Sequence, residues 1–137
     1  MNDQVTTFQE IKDRVRRFRA ERGWVETDPK DVALSIVLEA AEILEQFQWV
    51  TTEEVVDKPR WRQAVGEEIA DVVYLLSELA TELQIDIADA FEKKISKQAH
   101  KYPLSRFRPE MIKAERMKEY YRIKAKTRGG HPLNEED

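Results

Sequence analysis

The chain contains no cysteine, which excludes disulfides, thiolate metal sites and cysteine nucleophiles. Four glycines and five prolines in 137 residues are few, and most of the prolines fall outside the long periodic runs. That scarcity of turn signals favours an all-α chain. The two histidines, His100 and His131, do not follow a glutamate by three. The E-x-x-H pairs of a di-iron bundle are therefore missing, and so are zinc hydrolase signatures. No glycine-rich phosphate loop exists, which excludes a Walker-type nucleotide site. No apolar run is long enough to span a bilayer, and MNDQVTTFQE does not read as a signal peptide. The expected compartment is the cytoplasm, with no membrane partner.

What is present is charge and apolar periodicity. Charged residues make up 36% and hydrophobic residues 41%, a balance that suits one globular domain with a real core. The net charge of −4 hides an asymmetry: residues 111–128 hold seven Lys/Arg and two Glu, residues 1–110 carry −6, and the last nine carry −3. A short basic segment on an acidic body suits nucleic acid, a phosphate-rich ligand or an acidic neighbouring subunit. More often it is a solvated helix face, and nucleic acid is not the expected partner.

Phe8, Ile11, Val15 and Phe18 recur at helical spacing and predict a first helix over about 6–22, with Gly23 as its stop. Asp28-Pro29 reads as an N-cap followed by proline at the first helical position, opening a second helix that runs to about residue 49. Residues 51–59 read as a polar connector or short turn. A third helix is predicted over about 61–83. A fourth starts after Asp86, carries Ile87, Phe91 and Ile95 on one face, and ends near Tyr102-Pro103. A loop over 103–109, a basic helix over about 110–126 and a disordered tail over 129–137 complete the chain. The second and third helices are apolar almost all round and should be central. Two amphipathic neighbours in so short a chain cannot cover both, and the leftover apolar surface predicts a symmetric oligomer.

Two E-x-x-[ED] pairs stand inside these central helices: Glu39 and Glu42 in LSIVLEAAEILEQFQWV, Glu68 and Asp71 in EEIADVVYLLSEL. A three-residue step puts both carboxylates of a pair on one helix face. Their neighbours (Val37, Leu38 and Ile43 around the first pair, Ile69, Val72 and Leu75 around the second) leave them no polar stripe to belong to. Bare carboxylates in such surroundings cost free energy unless something positive sits between them. Four acids converging from two helices on a divalent cation would remove that cost. All-oxygen donors suit Mg²⁺, with Mn²⁺ as an alternative, and an acid-lined Mg²⁺ site without histidine most often handles phosphates. The competing reading is that the acids make surface ion pairs.

A phosphate ligand also wants cations. Lys94 and Gln98 lie one turn apart on the fourth helix. Lys94 suits a phosphate, although an exposed lysine with no ligand is the commoner case. Trp24 and Trp49 each end a helical segment, where they either stack on a nucleobase or plug the end of the bundle, the second being the commoner role.

Taken in order, FRAERGW, LEAAEILEQFQW, GEEIADVVYLL and KKISKQAHKYP form a combination that resembles the MazG-like nucleoside triphosphate pyrophosphohydrolases of the all-α NTP pyrophosphatase group. Within that group the chain looks most like the small enzymes related to dCTP pyrophosphatase. The resemblance covers roughly residues 8–103. It implies a four-helix-bundle-type fold completed by dimerisation, as a homodimer or homotetramer, with residues 1–108 as the catalytic domain and 109–137 as an extension. It implies hydrolysis of a (deoxy)nucleoside triphosphate to the monophosphate and pyrophosphate, as house-cleaning or control of a nucleotide pool. Glu39, Glu42, Glu68 and Asp71 would hold the metal, with Glu45 as a further ligand or a support. Lys94 would neutralise phosphate charge, Tyr102 would help close the site, and Trp24 and Trp49 would flank the base. Three features depart from the family pattern: Gln98 stands where many relatives have asparagine, Val15 where dCTP-specific relatives have histidine, and the loop VETDPKD lacks a histidine that those relatives carry. A non-catalytic helical module that binds through the basic segment is the alternative from another class.

Overall fold

The computed structural model describes residues 1–128, and there the chain is all-α: six helices, one 3₁₀ turn and no strand among the described residues. The expected disorder of 129–137 lies outside the described residues. Two compact units divide the chain, Met1–Ala88 and a second from Asp89 onward.

In the first unit, α1 (Phe8–Ala20) opens with a capping box. The Glu10 amide donates to Thr7 Oγ1 at 3.2 Å, and the Thr7 amide donates to Glu10 Oε2 at 2.7 Å. These bonds satisfy two of the amides a helix start leaves unpaired. The chain then turns through Gly23 at φ +70°, a conformation that a side chain strains. α2 (Pro29–Glu45) starts as its sequence predicts, with Asp28 Oδ1 accepting from the Lys30 amide at 2.8 Å and proline at the first position. It stops four residues before the expected end at 49, and residues 46–49 form turns.

Residues 51–59 are not merely a connector. They hold a short helix, α3 (Thr52–Asp57), because Thr51 and Glu54 form a second capping box and Val55 is buried. α4 (Pro59–Glu82) is the longest element, and α2, α1 and α3 all pack against it. Its turn out uses Gln84 at φ +54°, with the Ile85 amide donating to Ala80 O at 2.8 Å.

The core of this unit is thin. Val15, Val32, Val55, Ala80 and Ser77 are buried. On α2, Val37, Leu38 and Leu44 are 66%, 65% and 71% exposed, and Ile69 and Leu76 on α4 and Leu83 just past its end are also exposed.

The second unit holds most of α5 (Ile87–Lys101), a 3₁₀ turn (Leu104–Arg106) in the expected loop, and α6 (Lys113–Arg128). Its centre is aromatic. Tyr102 stacks on Tyr120 at 5.3 Å between ring centroids, Phe107 meets the Tyr102 ring edge-on at 5.8 Å, and Ile123 is buried.

Candidate active site

α2 and α4 run in opposite directions. Gln46, past the end of α2, donates through Nε2 to Glu68 Oε1 near the start of α4 at 3.3 Å, while Val32 and Ser35 share a cavity with Leu75 and Glu78 further along. This arrangement brings the two acidic faces together. Glu39, Glu42 and Glu68 each offer a carboxylate oxygen, all within 4.8 Å of one another. Asp71 stands outside that triangle, but its charge reaches both helices. Partial burial raises the Glu39 carboxyl above its ordinary range, and the negative charges of Glu42 and Asp71 raise it further. Partial burial also raises Glu68, reinforced by Glu42, Asp71, Glu39 and Glu67. None of the four acids makes an ion pair among the described residues. Unpaired, mutually repelling oxygen donors of this kind fit a hard divalent cation, because it cancels the repulsion and takes carboxylate ligands. Glu45 is exposed and lies outside the triangle.

A cavity of about 700 Å³ adjoins this face, lined by Arg19, Trp24, Thr27, Ser35, Tyr74 and Glu78 among others. Ser35 precedes Glu39 by one turn of α2, and Tyr74 follows Asp71 by three residues of α4, so the cavity continues the groove between the two helices. Trp24 is fixed at its rim. Phe18 meets it edge-on at 6.1 Å and meets Tyr74 edge-on at 6.2 Å, and the Trp24 amide donates to Arg19 O at 3.0 Å. Trp24 is half exposed, and Trp49 is 87% exposed. Neither plugs the end of the described bundle, which is the commoner role for an isolated tryptophan.

Sequence reasoning missed a buried network beside Trp24. Arg19 and Glu78 form an ion pair at 2.7 Å with side chains 16% and 6% exposed. Arg19 donates to Thr27 Oγ1 at 2.6 Å, and Thr27 Oγ1 donates to Glu78 Oε1 at 3.1 Å. A signal was available: Glu78 interrupts the apolar run LLSELA seven residues after Asp71, which returns to the same helix face.

Lys94, Gln98 and Tyr102 belong to the second unit. Lys94 is exposed on α5 and pairs with no acid among the described residues. Gln98 is half-buried, and its Oε1 is buried with no hydrogen-bond partner. Tyr102 belongs to the aromatic centre, its amide donating to Gln98 O at 2.8 Å.

The pattern of the MazG-like family matches residues 34–119, which include all four acids and the whole of α5. The chain belongs to the MazG-like family. Among relatives of this MazG-like chain, human dCTP pyrophosphatase 1 is 34% identical over 101 residues, 71% of this chain and 59% of that protein. The bovine dCTP pyrophosphatase 1 is 32% identical over 102 residues, 72% and 60% of the two chains. The match thus spans about three fifths of those curated relatives. A pyrophosphatase of known crystal structure from Archaeoglobus fulgidus is 39% identical, with a TM-score of 0.63, over 75% of the MazG-like chain and 98% of the other. No helix among the described residues is long and apolar enough to cross a membrane.

Proposed function

We propose that this protein is a divalent-metal-dependent pyrophosphohydrolase that cleaves a (deoxy)nucleoside triphosphate to the monophosphate and pyrophosphate. The observation that carries the reading is the triangle of Glu39, Glu42 and Glu68 within 4.8 Å, unpaired, with Asp71 beside it. Its support is membership of a family whose relatives include dCTP pyrophosphatases and an archaeal pyrophosphatase. Glu39, Glu42, Glu68 and Asp71 would hold Mg²⁺, or Mn²⁺ in its place, which when bound polarises phosphoryl oxygens and acidifies a water. The water oxygen bonds to the α-phosphorus as the bond to the α,β-bridging oxygen breaks, and pyrophosphate leaves. The four carboxylates would fix the cation's place, and one of them accepts the water's proton. The family resemblance supports the further roles of Lys94 in offsetting phosphate charge and of Gln98 and Tyr102 in contacting the nucleotide. Trp24 stacks on one face of the base, and Trp49, beyond the opposite end of α2, would reach a base only from a second copy of the chain.

The exposed stripe of Val37, Leu38 and Leu44 supports a homodimer, or a homotetramer built from it, since contiguous apolar surface of this kind marks an interface. Leu38→Glu with Leu44→Glu should shift the protein from an oligomer to a monomer in sedimentation. A wild-type monomer at micromolar concentration would refute the assembly.

The deciding assay is pyrophosphate release from a panel of common and modified NTPs and dNTPs, with Mg²⁺, Mn²⁺ or EDTA. Metal-dependent release supports the enzyme. Folded protein that releases none from any of them would refute it and favour a binding module that uses the basic α6.

A further inference from the structure

We propose that Arg19 and Glu78 read the edge of the nucleobase and select bases with an exocyclic amino group over the corresponding oxo bases, cytosine over uracil and adenine over hypoxanthine. The proposal rests on the nucleotide-binding reading, but not on hydrolysis.

A buried ion pair is poor evidence of a stabilising role. The desolvation of both charges offsets much of their attraction, and an apolar pair of similar volume often holds a fold as well. The Arg19–Glu78 pair therefore calls for another explanation, and its position supplies one. Both residues line the 700 Å³ cavity and also a smaller one of about 230 Å³, and Trp24 lines both as well. The larger cavity begins one turn along α2 and α4 from the acids, where the far end of a nucleotide anchored by its phosphates would lie.

The pair also has bonding capacity to spare. The contacts from Arg19 and Thr27 both fall on Glu78 Oε1, and no hydrogen bond among the described residues falls on Oε2. Arg19 has five N–H donors, and its contacts with Glu78 and Thr27 leave several of them for a ligand. Side by side, the two groups offer one acceptor and one donor to a flat partner.

An ionised carboxylate only accepts. It binds an amino N–H, and it meets the carbonyl oxygen of an oxo base with like polarity, because a ring tethered through phosphates held at the acids cannot slide to offer its own N–H instead. In a buried setting that mismatch leaves polar groups unpaired, and unpaired buried groups are what make a site discriminate. The guanidinium beside it donates to the unprotonated ring nitrogen of cytosine or adenine and opposes a ring N–H, donor against donor, in uracil or hypoxanthine. Trp24 can stack on any base face and cannot tell bases apart, so discrimination has to come from an edge. Thr27 holds both charged groups in place and ties them to the loop that carries Trp24.

The test is calorimetric binding of the non-hydrolysable α,β-imido analogues of dCTP, dUTP, dATP and dITP in Mg²⁺. The full-length wild type should bind the amino member of each pair at least about tenfold tighter than the oxo member. Glu78→Gln should bring both ratios close to one, mainly by weakening the amino analogues. The double variant Arg19→Met/Glu78→Leu leaves no lone buried charge; it should keep wild-type helicity and also lose the selectivity. Equal wild-type binding within each pair, or ratios unchanged in both variants, would overturn the proposal. A uniform loss of affinity for all four analogues in Glu78→Gln would overturn it too, by making Glu78 a structural prop. Binding of no analogue would remove the proposal together with the nucleotide reading. Selective binding without pyrophosphate release would sink only the hydrolase.

Discussion

Glu68 on α4 and Glu119 on α6 are both half-buried helical glutamates, and their surroundings treat them in opposite ways. Glu119 receives two bonds from Arg122, at 2.8 and 2.7 Å, and one from Arg106 at 3.3 Å. The Arg122 bonds, followed by the charges of both arginines, hold its carboxyl below the ordinary range. Glu68 faces Glu42, Asp71 and Glu39, takes one weak bond from the neutral Gln46, and is raised. The chain neutralises one carboxylate internally and leaves the other without a counter-charge. A carboxylate that serves only the fold has no reason to be left in the second condition, since repulsion among unpaired acids opposes folding. The contrast therefore separates a charge that serves the second unit from charges that could hold a cation.

The largest effect expected from breaking this contrast is on turnover. Glu68→Gln and Asp71→Asn should each lower pyrophosphate release by about a hundredfold or more with helicity unchanged in circular dichroism, as for loss of a group that clamps phosphoryl charge. Unaltered turnover in both would remove these acids from the site. Next, Mg²⁺ should raise the melting temperature of the wild type by several degrees, because a ligand of the native state alone stabilises it. Glu39→Gln/Glu68→Gln should lose that response, and Glu119→Gln should keep it. An equal Mg²⁺ shift in all three proteins would mean the ion binds elsewhere.

A smaller effect concerns pH without metal. Raised carboxyls bind protons more readily in the folded state than in the unfolded one. Their repulsion therefore weakens the apo fold at neutral pH, and the penalty fades as pH falls through the raised values. In EDTA, Glu68→Gln should melt a few degrees above wild type at pH 7, with the gap closing on acidification. A gap that widened toward low pH would contradict the raised carboxyl. The smallest effect is at Glu119. Its stabilisation is present above the ordinary carboxylate pKa and is lost as pH falls through its lowered value. Glu119→Gln should melt slightly below wild type at pH 7, the difference vanishing in acid, and scanning calorimetry across pH would detect it.

The central helices and the acids were legible because both signals are local. Apolar runs mark α2 and α4, and a three-residue step places two carboxylates on one face wherever the helix goes. The start of α2 was legible from Asp28-Pro29 for the same reason. Its end was not, because 46–49 contain neither glycine nor proline to mark a stop. α3 was hidden because its capping box, Thr51 with Glu54, looks like ordinary polar loop sequence until Val55 is seen to be buried. The Arg19–Thr27–Glu78 network was illegible for a different reason. It joins α1, a loop and α4 across long stretches of chain; the spacing marks Glu78 as out of place in an apolar run, but nothing local names Arg19 and Thr27 as its partners.

α4 also acts as a fixed scale. Glu68, Asp71, Tyr74 and Glu78 are graduations on one uninterrupted rod, with Asp71 and Glu78 separated by about 10 Å of helix rise. On the proposed reading, the interval between phosphate end and base end is set by helical pitch, with no adjustable loop in between. One residue inserted between Asp71 and Glu78 would swing every later mark by about 100°, so this stretch should tolerate changes of side chain far better than changes of length.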